Sequence, residues 1–255
     1  MRTFPSDRWV RAFVGDTMIA DSRDPLLFWE ADSPIPGYAF SLGSVHREFL
    51  SESSAPPERH GFEFFRPKGD VSKWFDIVVG ERFVPHAAWV LTGLEDRIAL
   101  SWQPGTIDRW LEEDVQVFGH PRDPFHRVDA LQSSRHVTAT VNSVVLADTR
   151  NPVVLFETNL PARYYFPAGD VNTEVLVPAA MTSVCPYKGT ADRYWDVVGH
   201  ADLTAAAWSY SSPFAAVGEI RSRISFYNEL VDFTIDGIPQ DRPASPFSEK
   251  EQRPA

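Results

Sequence analysis

The chain has 255 residues, 43% of them hydrophobic and 13% aromatic, enough for two small cores held by hydrophobic burial. A net charge of −11 with no basic run repels phosphate backbones and anionic lipid surfaces, so neither nucleic acid nor membrane is an expected partner. The single cysteine excludes an internal disulfide and a multi-cysteine zinc site; no run approaches the roughly 18 apolar residues of a membrane span, and MRTFPSDRWV has no apolar signal core, so a cytoplasmic protein is expected.

Taken in chain order, Val10, Ala12 and Val14 alternate up to Gly15-Asp16, and Met18 and Ala20 resume beyond it, the period-two pattern of a hairpin. Residues 26–29 form a short apolar run suited to a buried strand, closed by Pro34 and Pro36. Residues 51–61 have loop composition. Ile107 to Asp114 is the best helix candidate, with Thr106 as its cap and Asp108 in the first turn. Residues 120–136 read as a charged linker containing His120, Arg122, His126 and Arg127. That segment either supplies charged groups to a cleft or is pinned by local ion pairs and turns. The hairpin pattern then returns at Val137, Ala139 and Val141, around Asn142-Ser143, followed by a second apolar run at 153–156 and a break at Pro161. Residues 223–236 alternate as two strands, and a polar, proline-containing tail begins at 241.

The second half repeats the first. Asp21-Ser22-Arg23-Asp24-Pro25 and Glu30 align without a gap on Asp148-Thr149-Arg150-Asn151-Pro152 and Glu157. Lys68-Gly69 aligns on Lys188-Gly189, Asp76 on Asp196, and Ala87-Ala88-Trp89 on Ala206-Ala207-Trp208. A unit this long is a domain rather than a solenoid repeat. The expected architecture is mainly β with few short helices: two tandem small antiparallel domains, 1–119 and 137–240, packed as a pseudo-dimer, with the linker at 120–136 and a flexible tail at 241–255.

CPYKGTA with the following YWDVVG, the HPRDPFHRVD segment, SSRHV and the Asp-x-Arg-x-Pro strand entry together resemble the domain of unknown function family 427, also catalogued as nucleotidyltransferase-9-like. The resemblance covers nearly the whole chain as two copies. It implies a small all-β domain similar in topology to the β-tent folds, a group with zinc-binding and methionine-sulfoxide-reducing members. The zinc ligands of those relatives are absent, and so no metal is expected. Neither a phosphate-cradling glycine-rich loop nor an Asp-x-Asp pair is present to support nucleotidyl transfer, and nothing points to a flavin or nicotinamide cofactor.

The two copies differ where chemistry is concentrated. With Lys68 set against Lys188, Cys185-Pro186-Tyr187 falls opposite Phe65-Arg66-Pro67, and Arg163-Tyr164-Tyr165 opposite Gly37-Tyr38-Ala39. The second copy therefore carries the candidate catalytic residues Cys185, Lys188 and Glu157. Arg150, Arg163, Tyr164, Tyr165, Tyr187, Trp195 and Tyr210 are expected to line a substrate pocket around them. A thiolate is the attacking form of cysteine and a lysine ammonium nearby favours it, while a buried glutamate can serve as acid or base. Against this stand bland readings: a free cysteine is commonly a small buried hydrophobe, and an Arg–Glu pair kept in both copies is commonly structural. The expectation is an enzyme acting on a small carbonyl-bearing or anionic molecule. A non-catalytic ligand-binding module and a structural or protein-interaction unit remain alternatives.

Overall fold

The computed structural model describes residues 1–31, 33–57 and 65–248. The chain divides into two compact units, Met1–Asp123 and Pro124–Ala255. In the first, the strands are β1 (Arg2–Pro5), β2 (Val10–Val14), β3 (Thr17–Ser22), β4 (Leu26–Trp29), β5 (Gly37–Ser41), β6 (Leu50–Ser53), β7 (Val71–Val79), β8 (Arg82–Leu91), β9 (Arg97–Leu100), β10 (Arg109–Glu112) and β11 (Val115–Val117). In the second they are β12 (Val128–Gln132), β13 (Val137–Val141), β14 (Val144–Thr149), β15 (Val153–Glu157), β16 (Arg163–Phe166), β17 (Leu176–Ala179), β18 (Ser183–Cys185), β19 (Gly189–Ala191), β20 (Arg193–Val197), β21 (Ala207–Ser209), β22 (Ile224–Phe226), β23 (Asp232–Ile235) and β24 (Ile238–Pro239).

Each unit stacks a seven-stranded antiparallel sheet on a four-stranded one. The large sheets run β1-β4-β5-β9-β8-β7-β6 and β12-β15-β16-β22-β21-β20-β17; the small ones run β11-β10-β2-β3 and β14-β13-β23-β24. Among the described residues the order is the same in both, strand for strand, and in the second unit the hairpin β18-β19 lies between β17 and β20 in the chain. Registers agree as well. Leu26 faces Ala39 as Val153 faces Tyr165, and Trp74 faces Trp89 as Tyr194 faces Trp208. The aspartate of each copy makes the same backbone anchor, Asp76 Oδ1 accepting from the His86 amide and Asp196 Oδ1 from the Ala205 amide, both at 2.7 Å.

Strand parity then assigns side chains to layers. One face of the large sheet packs on the small sheet and forms the main core of each unit, with Val10, Ala12, Tyr38, Phe40 and Ile98 in the first and Val137, Ala139, Val154, Phe166 and Phe233 in the second. The opposite face carries a second cluster, built on Phe28, Ala39 and Trp89 in one unit and on Leu155, Tyr165, Tyr194, Trp208 and Tyr210 in the other.

Four sequence expectations are corrected here. Residues 109–112 are strand β10 rather than part of a helix at 107–114, because Trp110 and Glu112 alternate inward and pair with β2; buried Glu112 accepts from the Tyr38 hydroxyl at 2.9 Å and meets Arg8 at 3.0 Å. The unit boundary, after Asp123, falls inside the linker expected at 120–136, but the segment is not all tether: residues 128–132 are β12, which pairs along its length with β15, as β1 pairs with β4. Composition misled because the charges flank the strand: Asp129 is the one charged residue of β12, and Arg127 and Arg135 lie on either side of it. The loop expected at 51–61 is strand as far as Ser53, with 58–61 outside the described residues. The tail is docked at its start, where Ser245 donates to Glu229 and Phe247 packs 5.7 Å from Tyr227; residues 249–255 lie outside the described residues. Among the described residues no helix is long and apolar enough to cross a membrane.

Candidate functional site

The CPYKG sequence is a hairpin. Cys185 ends β18, Gly189 begins β19, the two residues pair, and Pro186-Tyr187-Lys188 form the turn between them. Proline fits such a turn, and Gly189 takes φ +98°, a left-handed conformation that a side chain disfavours. The Lys188 carbonyl accepts from the Phe214 amide at 3.0 Å, which fixes the turn against the following segment. Gly189→Ala is expected to cost about 1–2 kcal/mol through backbone strain, since the added Cβ meets only ordinary contacts at 3.6 Å and beyond; urea unfolding checks it.

From this turn the Lys188 side chain runs inward, leaving 12% of its surface exposed, and its ammonium donates to Glu157 Oε2 on β15. Glu157 is 5% exposed, and its other oxygen lies 3.2 Å from His126 Nε2. The His126 ring stacks on Tyr187 at 4.1 Å, with planes 13° apart. The result is a continuous polar chain from the turn through the buried pair to an aromatic sandwich.

Burial alone would raise the Glu157 carboxyl, but the Lys188 charge and the hydrogen bonds from His126 and Lys188 outweigh it and hold the group at about 2. For Lys188, burial works to lower the ammonium, yet Cys185, Glu157 and Tyr165 raise it above the ordinary lysine range. The pair is charged across the neutral range. Tyr165 is pushed up to about 12 by burial, and Tyr194 and Tyr210 are raised for the same reason. These three phenols are neutral hydrogen-bonding groups in the site's wall: Tyr165 accepts from Trp208 Nε1 at 3.1 Å, and the Tyr194 hydroxyl pairs with Ser183 at 2.6 Å.

Of the residues named from sequence, Cys185, Lys188, Glu157, Tyr165, Tyr187, Tyr210 and His126 come together around the turn and the outer face of the large sheet. The others do not join them. Arg163 reaches that face but is neutralised there, its guanidinium bonded to Glu229 at 2.5 and 2.7 Å and to Asn228, with the Trp208, Tyr227 and Phe247 rings within 5.7 Å. Tyr164 and Trp195 lie on the opposite face by strand parity, packed in the main core. Arg150 sits exposed in the turn after β14, and Arg127 is 80% exposed and paired with Asp129 at 2.7 Å. His120 and Arg122 belong to the first unit, where His120 Nδ1 is 2.8 Å from the Pro121 carbonyl and the Arg122 amide donates to Glu112 at 3.3 Å.

Sequence reasoning missed Tyr194, Ser183 and the Asn228-Glu229 pair. Period-two alternation along β20 selects Tyr194 over Trp195 once the strand's inward face is known. No local signal connects Glu229 to Arg163, which lies a whole sheet away in sequence. In the first unit the equivalent glutamate does something different: Glu30 Oε1 accepts from the Lys68 and Gly69 backbone amides at 2.8 and 2.6 Å.

Residues 129–237 match the family model described as domain of unknown function (DUF427). The matched span begins inside β12 and contains the hairpin, Glu157 and the wall of tyrosines. No curated protein matches the chain.

Proposed function

We propose that this chain is a tandem DUF427 protein whose second unit transforms a small carbonyl-bearing or anionic substrate at Cys185, the first unit being a copy that has lost this chemistry. The observation that carries the reading is a buried ammonium, Lys188, held by the Glu157 carboxylate and in the same turn as the one cysteine of the chain, half-buried Cys185, whose charge acts on it. Where the first copy has Phe65, no such attack is available.

In this reading the Cys185 thiol loses its proton to solvent, and Sγ forms a bond to the substrate's carbonyl carbon while the carbonyl π pair moves to oxygen. The Lys188 ammonium stabilises that negative charge. Collapse expels the leaving group with its bonding pair, and the group takes a proton from water. A second water then attacks the acyl-cysteine, releasing the acid and restoring the thiol. Glu157 serves by fixing Lys188 rather than as a base, since a carboxyl held near 2 is a weak proton acceptor. His126 and Tyr187 form the rim. An acidic chain with one unpaired thiol suits a reducing cytoplasm and a small-molecule substrate.

Intact-mass spectrometry with 4-nitrophenyl acetate and an acetyl thioester tests this. One equivalent of acyl group on Cys185 is expected in the native protein, none in Cys185→Ser, and acylation at least tenfold slower in Lys188→Met. If iodoacetamide labels Cys185 in the native fold while no acyl donor does, the thiol is accessible but inert and the enzyme reading falls. The alternative, a non-catalytic binding site, is favoured by the closed Glu157–Lys188 pair, and it requires ligand affinity that survives Cys185→Ser with no product formed.

A further inference from the structure

We propose that the first unit holds a ligand site of its own, for a single-ring aromatic molecule bearing a carbonyl oxygen, centred on the indole N–H of Trp89. The argument starts from the shared register. In the second unit Trp208 and Tyr165 both lie beside Ser225, and the indole donates to the phenol oxygen at 3.1 Å. In the first unit Trp89 and Ala39 both lie beside Ala99 in the same arrangement, so the indole is kept and its acceptor is an alanine. Trp89 is 5% exposed, and its Nε1 is buried with no hydrogen-bond partner among the described residues. A buried donor without a partner is costly and uncommon in a folded protein, and here the fold supplies the reason: the group that would meet it has been deleted.

Trp89 also forms a wall common to two open recesses within the unit. The larger, of about 150 Å³, is bounded by Trp74, Trp89, His86, Ser101, Gln103 and Thr106. That is the size of cavity that accepts one benzene ring. Its aromatic walls suit a flat guest: Trp74 and Trp89 lie 5.7 Å apart at 50°, and the His86 ring meets Trp74 edge-on at 6.2 Å. A second donor or acceptor is present in His86 Nδ1, likewise buried and making no hydrogen bond among the described residues, with Asp76 Oδ1 at 3.7 Å as its charged neighbour. The smaller recess adds a third such atom, Trp102 Nε1. Unmet ring nitrogens around aromatic walls call for a guest that is flat and carries an oxygen acceptor. A purely aliphatic guest would leave the nitrogens unpaired, and a compact anion would leave the walls empty.

The site is independent of Cys185 chemistry, being built from other residues in the other unit. Benzamide is the probe and toluene, which has the ring without the oxygen, the control, each titrated into the full chain. In the unsubstituted protein, benzamide is expected to shift the assigned Trp89 indole N–H resonance, with affinity at least tenfold above that of toluene. Trp89→Phe should keep toluene binding and abolish the preference, while Cys185→Ser should change neither. Equal binding of the two probes, or a Trp89 indole signal unmoved at 10 mM benzamide, overturns the proposal. The indole titration uses the native chain and so gives an answer even if Trp89→Phe fails to fold.

Discussion

Replacing Lys188 with methionine lowers the stability of the second unit by about 3–5 kcal/mol at pH 7, the cost of leaving a buried carboxylate without its counter-charge. Glu157 is 5% exposed, and among the described residues the substitution leaves it the His126 contact. The pH dependence separates this cause from lost packing. In the native protein the Glu157 carboxyl sits at about 2, below the roughly 4.3 of an unfolded glutamate, so its contribution is complete above about 4.3 and is lost as pH falls toward 2. Lys188 is raised, so its contribution is complete below about 10.4 and is lost as pH rises through its higher folded value. The pair therefore supports the fold over the whole neutral range. In the variant, burial acts on Glu157 with little opposition and raises it above its unfolded value, so stability now falls as pH rises. Urea midpoints at pH 3.5 and 7 should show a smaller penalty at the lower pH. A penalty equal at both values would mean that the lysine acts by packing alone.

Arg163→Met is expected to cost a similar amount, about 3–5 kcal/mol, or roughly 6–20 °C in Tm, without slowing acylation of Cys185. Glu229 has no exposed side-chain surface and, among the described residues, would keep Ser245 as its side-chain partner. Burial raises Glu229, but the Arg163 guanidinium and Ser245 hold it below the ordinary carboxylate range, so the pair's contribution is lost on acidification. Glu229→Leu combined with Arg163→Met should recover much of the loss, because an apolar pair of similar volume leaves no charge stranded. If Arg163→Met instead leaves Tm unchanged and raises KM, the arginine binds substrate and the Glu229 pairing is incidental.

The repeat was visible in the sequence because a duplicated fold keeps what its backbone needs. Asp76 and Asp196 anchor equivalent amides, and Gly80 and Gly199 both take a left-handed φ, +57° and +77°. The short hairpins and apolar strands were equally visible, since alternation reports a half-buried strand directly. The helix expected at 107–114 failed because a capping pattern is local, while pairing of β10 with β2 is not. Charge overextended the linker, as the charged residues flanking β12 hide the short strand until β15 is set beside it.

The sequence by itself determined the mainly β class, the repeated order of strand patterns, and the presence in the second copy of a cysteine and a lysine three residues apart, with a glutamate kept in both copies. These follow from spacing and alternation, which act within a few residues of each other. Tertiary structure alone decided which face each side chain occupies, and hence that Tyr165 and Tyr194 wall the site while Tyr164 and Trp195 fill a core. It also decided that Arg163 is paired with Glu229 and that Trp89 has no acceptor among the described residues. Those outcomes depend on contacts between strands far apart in the chain, where burial sets the cost of a charge or a donor, and burial is a property of the assembled sheets.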